Sequence, residues 1–207
     1  MRRTPGAVLA ALLSTVLLAG CGGSSSSATE FTGTLVDPPF EVAGTTLATT
    51  TGEDLSLDDP GARLTLVFFG YTTCPDVCPL VMSSIAGAVN RLDEDDRSQV
   101  QVAFVTTDPK VDTPPVMQDY LDGYGIEQAG VTAVGGRASR DETVELGESV
   151  GIFVADAEEL ESGGYDLGSH GSQVIAVDAS GQAPAFWNQD VSPAQLSADI
   201  ETLLSES

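Results

Sequence analysis

Apolar and polar positions along the chain fall into short blocks, and most blocks predict a single element. The run from Leu64 to Phe69 is apolar, β-branched and aromatic, which predicts a strand buried on both faces. From Leu80 to Leu92 the apolar positions change period, with Ile85, Val89 and Leu92 along one face of a helix. Val100 to Val105 predicts the next buried strand, through Val102, Ala103, Phe104 and Val105. The segment Asp112 to Pro115 starts a helix, with Thr113 as cap and proline tolerated in the first turn. That helix carries Val116, Tyr120 and Leu121 and stops around Gly123 to Gly125. Ser139 to Val150 predicts another helix, apolar at Val144, Leu146 and Val150 and acidic in its N-terminal half.

Between Ile152 and Gly168 the pattern breaks down. The apolar pieces are short and interrupted by Gly163 and Gly164, so a hairpin and an irregular loop both fit. Val174 to Val177 and Ala183 to Trp187 flank the turn sequence Asp178 to Gly181, a hairpin signal. Ser192 and Pro193 then open a last helix to about Leu204, with Leu196, Ile200 and Leu203 at helical spacing. The order strand, helix, strand, two helices, two strands, helix predicts an α/β fold. Its central mixed sheet would carry helices on both faces, a thioredoxin-like organisation. No repeat and no second linker follow Ala28, so residues 31–207 are expected to form one domain.

The N-terminus follows a different pattern. Arg2 and Arg3 precede an apolar stretch from Ala7 to Ala19 broken only by Ser14 and Thr15. This is shorter than the roughly 20 residues a membrane span needs, but it suits a signal-peptide core. Leu18, Ala19, Gly20 and Cys21 resemble a bacterial lipobox, which implies acylation of Cys21 and removal of residues 1–20. Residues 21–30 then become a lipidated cysteine and flexible tether, whose Gly22 to Ala28 portion reaches roughly 15 Å as a coil. The expected location is the extracytoplasmic face of the bacterial cytoplasmic membrane, held there by lipid.

Charge and scarcity narrow the chemistry. Eight Lys and Arg stand against 31 Asp and Glu, a formal charge of −23 in 207 residues, and loss of Arg2 and Arg3 deepens it by two. Such a chain repels phosphate backbones, so nucleic acid is excluded as a partner. One histidine excludes His-rich zinc sites and a helical H-E-x-x-H pair. There is no Gly-rich phosphate loop and no G-x-S-x-G elbow. If Cys21 carries lipid, two thiols remain, Cys74 and Cys78.

These thiols sit between a predicted buried strand and a predicted helix, a place where the sheet fixes one end and the loop stays accessible. A helix N-terminus favours thiolate over thiol, and Pro75 and Pro79 restrict the loop. The Cys-x3-Cys spacing is one residue longer than that of thioredoxins, which allows a wider sulfur gap. Three readings fit these residues: a structural disulfide, a redox dithiol, and a metal-binding pair. The disulfide closes so short a loop that it contributes only about 2 kcal/mol on the chain-entropy model. Two thiolates as metal ligands favour Cu(I), zinc or iron–sulfur chemistry. His170, taken alone, is an ordinary lone histidine after a Gly-rich loop.

The stretch from Phe68 to Pro79, with Cys74-Pro75-Asp76-Val77-Cys78-Pro79 at its centre, resembles the signature of the Sco/SenC copper-chaperone family. The run Asp108-Pro109-Lys110-Val111-Asp112-Thr113-Pro114 and His170 ahead of Val174 to Asp178 support it, over roughly Phe31 to Leu204. The resemblance implies a thioredoxin-like fold, a membrane anchor, and copper, as Cu(I) and/or Cu(II), held by Cys74, Cys78 and His170. It also implies a role in assembling the dinuclear copper centre of cytochrome c oxidase. The partners would be the copper-bearing oxidase subunit and other periplasmic-type copper or thiol carriers. The alternative is a thiol–disulfide reductase that acts on partner cysteines without carrying copper. Where family members commonly have Asp-His-Ser, this chain has Ser169-His170-Gly171, and the carboxylate beside the imidazole is absent. Asp76, Met82, Asp108 and Asp112 are secondary candidates near such a site, and Tyr71 and Trp187 are expected to be packing groups.

Overall fold

The computed structural model describes residues 30–168 and 171–206. The predicted leader, Cys21 and His170 therefore lie outside the described residues. Eight strands form one mixed sheet. At its centre β4 (Leu64–Gly70) runs parallel to β5 (Val100–Thr106), and β5 runs parallel to β6 (Thr132–Arg137). On one side β9 (Val174–Asp178), β10 (Gln182–Trp187) and β1 (Thr34–Glu41) continue the sheet antiparallel to β4 and to each other. On the other side β2 (Thr46–Thr49) and β3 (Asp54–Ser56) continue from β6, again antiparallel.

Alternation along β4 and β5 divides the core in two. Leu64, Leu66, Phe68, Val102 and Phe104 face a layer made by α1 (Val77–Val89), α3 (Pro114–Asp122) and α5 (Pro193–Glu206). Val67, Phe69, Ala103 and Val105 face the opposite layer, where α4 (Arg140–Ser149) contributes Leu146. Every residue of β4 is buried, as its unbroken apolar run requires. The fold is thus the α/β, thioredoxin-like arrangement expected, with a central mixed sheet and helices on both faces. Among the described residues, no helix is long and apolar enough to cross a membrane.

Several elements depart from the sequence pattern. α1 begins at Val77 rather than Leu80, taking Cys78 and Pro79 into its first turn, where proline costs no hydrogen bond. Thr113 is the N-cap of α3, but its side chain makes no capping bond. The Ile152 to Gly168 region resolves as a hairpin, β7 (Glu158–Glu159) with β8 (Tyr165–Asp166), preceded by a short 3-10 turn. Strands β1, β2, β3 and β6 and the short α2 (Glu94–Arg97) carry too weak a pattern to be read from sequence. β6 contains Gly135 and Gly136, which lower strand propensity yet are demanded by packing. A methyl group on Gly135 would lie 2.8 Å from Met117 Cβ of α3, and one on Gly136 3.0 Å from Leu47.

Candidate metal centre

β4 ends at Gly70, and the chain turns at once into the cysteine loop. The Cys74 N–H closes a turn on the Tyr71 carbonyl at 3.2 Å. Cys78 follows as the second residue of α1, so its sulfur lies in the first turn, where the helix dipole favours negative charge. Both cysteines are free thiols and both are buried. Their side chains are close enough to interact by hydrogen bonding. Gly70 makes this possible, because a Cβ there would stand 2.8 Å from the Cys78 sulfur.

Burial pushes the Cys78 thiol well above its ordinary value, and the neighbouring Cys74 adds to this, while the Tyr71 backbone N–H opposes it. The pair therefore rests with Cys78 as a thiol, and a metal must displace its proton. Tyr71 is more than a packing group: its phenol is buried against Cys74, and burial first, then the charges of Cys74 and Asp166, hold it protonated. Tyr120 and Tyr124 of the α3 end pack edge to face at 5.1 Å, and Tyr120 also packs on Phe104 at 5.2 Å. Burial raises both phenols, and the two cysteines add a smaller push.

Two buried acids from the Asp108 to Pro114 segment hold this corner. The Asp112 carboxylate accepts from the Thr72 N–H, from the Thr72 hydroxyl at 2.6 Å and from the Thr106 hydroxyl at 2.6 Å. The cysteine loop is thereby tied to the end of β5. Asp108 accepts from the Ser162 hydroxyl at 2.6 Å, and Gly164 packs directly against it, so the β7–β8 hairpin docks on the same strand end. Thr107 completes the junction: its N–H donates to Gly70 O at 2.8 Å and its hydroxyl to Tyr165 O at 2.7 Å.

An open cavity of about 330 Å³ lies over Cys74, lined by Asp76, Val77, Asp166, Gly168 and Gln189 among others. Asp76 stands at the N-cap of α1 without making a capping bond, so its carboxylate is free to face this space. Met82 is fully buried in the core below the helix and is a packing residue. Trp187 is a buried packing residue, tilted against Phe31 at 6.0 Å and donating to Asp199 at 2.7 Å. Asp166 and Gln189 carried no sequence signal, since only the tertiary fold brings β8 and the β10 end to Cys74.

Among the described residues, no group of three His, Cys, Asp or Glu side chains is placed to hold a metal ion. The described donors are the two thiols, a soft pair suited to Cu(I). Asp166 and Gly168 line the Cys74 cavity, and the Gly171 N–H donates to Leu167 O at 3.2 Å.

Residues 34–205 match the family model described as SCO1/SenC. A Stutzerimonas stutzeri protein is 31% identical over 119 residues, which are 58% of this chain and 55% of that protein. The match thus spans only about half the length of that relative. Apo Sco1 from Thermus thermophilus superposes with a TM-score of 0.67 at 25% identity, covering 83% of this chain and 95% of that one. Bradyrhizobium japonicum ScoI with copper bound superposes with a TM-score of 0.63 at 26% identity, covering 78% and 98%. With the family model matched along nearly the whole described fold, the chain belongs to the SCO1/SenC family.

Proposed function

We propose that this chain is a membrane-anchored extracytoplasmic copper-binding protein that delivers copper to, or prepares, the dinuclear copper centre of cytochrome c oxidase. In this reading Cys74, Cys78 and His170 hold the copper as cargo, and Cys21 carries the lipid. The observation that supports it most directly is the pair of buried, neighbouring thiols after the central strand β4, with Cys74 opening onto a cavity, in a chain of the SCO1/SenC family. The copper bound by the Bradyrhizobium protein and the oxidase-assembly role of the Sco family support the same reading. Two thiolates and one neutral imidazole form a trigonal set suited to Cu(I), and the imidazole also suits Cu(II). A buried site slows escape to solvent, while the open cavity leaves room for an incoming ligand to displace one donor.

The test is Cu(I) titration of the reduced full chain against a competing chelator. One copper per chain is expected, with binding lost in Cys74→Ser and Cys78→Ser and weakened about tenfold or more in His170→Ala. Unchanged affinity in His170→Ala removes the three-ligand model.

The closeness of the two thiols favours a second reading as well, a thiol–disulfide reductase acting on partner cysteines. There the Cys74–Cys78 couple would show a reversible potential and His170 would be dispensable. Absence of exchange with a disulfide substrate, together with tight copper binding, would sink it.

A further inference from the structure

The Cys74 cavity is bounded on one side by Asp166 and Gly168. Those two residues also wall a larger space of about 570 Å³, which extends past Leu167 to Glu158, Asp156 and Phe153. The two spaces lie side by side across Asp166 and Gly168, and together they make a grooved surface with Cys74 at one end. The charged residues lining it are Asp76, Asp156, Glu158 and Asp166, all acidic, with no Lys or Arg among them. Arg140 packs 4.9 Å over the Tyr165 ring, where it lines a separate small cavity with Thr107 and Gly163. At the far end, Phe153 is 61% exposed, an unusual position for a phenylalanine in a chain so rich in charge.

We infer that this groove docks a cationic segment of a partner protein, with an apolar side chain seated against Phe153 and the partner's own metal ligands or cysteines brought to Cys74. The inference rests on the proposed exchange at Cys74 and names the kind of partner that exchange serves. Acidic walls attract Lys and Arg and repel an anionic lipid surface or a second copy of this chain, which itself carries −23. The charge sets the encounter and its orientation. The exposed ring supplies the anchor, because aromatic contacts desolvated on docking carry most of the energy of such interfaces. The cavity walled by Phe153, Asp156 and Glu158 adjoins the one that opens on Cys74, so a segment held in the first lies beside that sulfur.

Asp156, Glu158 and Phe153 are all exposed, so their replacement leaves the core and the thiols intact. The probe is a short fluorescein-labelled peptide of alternating lysine and glycine around one tryptophan, titrated by anisotropy against the full chain, reduced and metal-free. Its counterparts carry glutamate for lysine or serine for tryptophan. The cationic peptide is expected to bind, the glutamate peptide not to bind, and the serine peptide to bind about tenfold more weakly. Asp156→Asn with Glu158→Gln, and separately Phe153→Ser, are expected to weaken the cationic peptide about tenfold. Asp119→Asn with Glu201→Gln, two exposed acids outside the groove, should leave it unchanged.

Equal weakening by the two double variants, or no effect of Phe153→Ser, would mean attraction by net charge alone and would overturn the docking site. Chelator titration of the same variants keeps the two proposals apart. Loss of peptide binding in the groove variants with copper uptake retained supports the groove, whereas peptide binding by a wild-type chain that takes up no copper in the chelator titration overturns the copper reading and leaves the groove standing.

Discussion

The Asp112 carboxylate accepts both the backbone N–H and the hydroxyl of Thr72, and through this pair the loop carrying Cys74 is fastened to the end of β5. Asp112 is fully buried, and the Thr106 hydroxyl is its third donor. Asp112→Ala leaves the Thr72 N–H and two hydroxyls without an acceptor in a buried corner. A loss of about 2–4 kcal/mol of unfolding free energy is expected, read by urea denaturation. The freed loop should also react faster at Cys74 with a thiol reagent under native conditions. An unchanged midpoint would show that water replaces the carboxylate without cost.

Gly70 and Cys78 form a second tight pair. Gly70→Ala would place a methyl group 2.8 Å from the Cys78 sulfur, with Phe68 and Phe104 closing off other directions. The sulfur must move, since the backbone of a central strand cannot. The expected cost is about 1–3 kcal/mol, the range for overpacking a core. If Cys78 holds copper as proposed, copper affinity should fall with the displaced sulfur. Native affinity in a folded Gly70→Ala chain would contradict the close packing.

Thr107 connects the strand that leads into the cysteines with the hairpin that leads toward position 170. Thr107→Val keeps the shape and deletes only the hydroxyl, so Tyr165 O loses its 2.7 Å bond while the Tyr165 N–H still reaches Thr107 O. Global stability should fall by only about 1 kcal/mol. Hydrogen exchange should rise selectively in residues 158–168, with α1 and β4 unchanged. Uniform acceleration across the sheet would point to general destabilisation instead.

How far the sequence could be read follows from how local each signal was. β4, β5, α1 and the β9–β10 hairpin announce themselves because their apolar residues recur at short range. Gly135 and Gly136 conceal β6, for their reason lies in Met117 and Leu47, far away in the chain. Cys74 and Cys78 were legible through spacing and flanking prolines, and Asp112 through its motif, though its bonds to Thr72 were not. Asp166 and Gln189 were invisible, because a lone acid in a loop and a lone amide after a strand acquire a role only when the fold sets them beside a thiol.

The buried Cys78 thiol also makes stability depend on pH. Its ordinary value is 9.0, and burial raises it in the folded chain. Below 9 the group is protonated in both states and stability is constant with respect to it. Above 9 the unfolded chain loses the proton while the folded chain keeps it, so the folded state binds more protons and stability falls as pH rises. The tyrosines raised in the same corner start from 10.0, so between 9 and 10 the Cys78 thiol contributes ahead of them. Urea denaturation of the reduced, metal-free chain across this window should show a decline of at most ~1.4 kcal/mol per pH unit from this group. Cys78→Ala should flatten that decline even though it lowers stability overall. A decline of the same slope in Cys78→Ala would assign the effect to other groups and leave Cys78 without the buried, proton-retaining environment described for it.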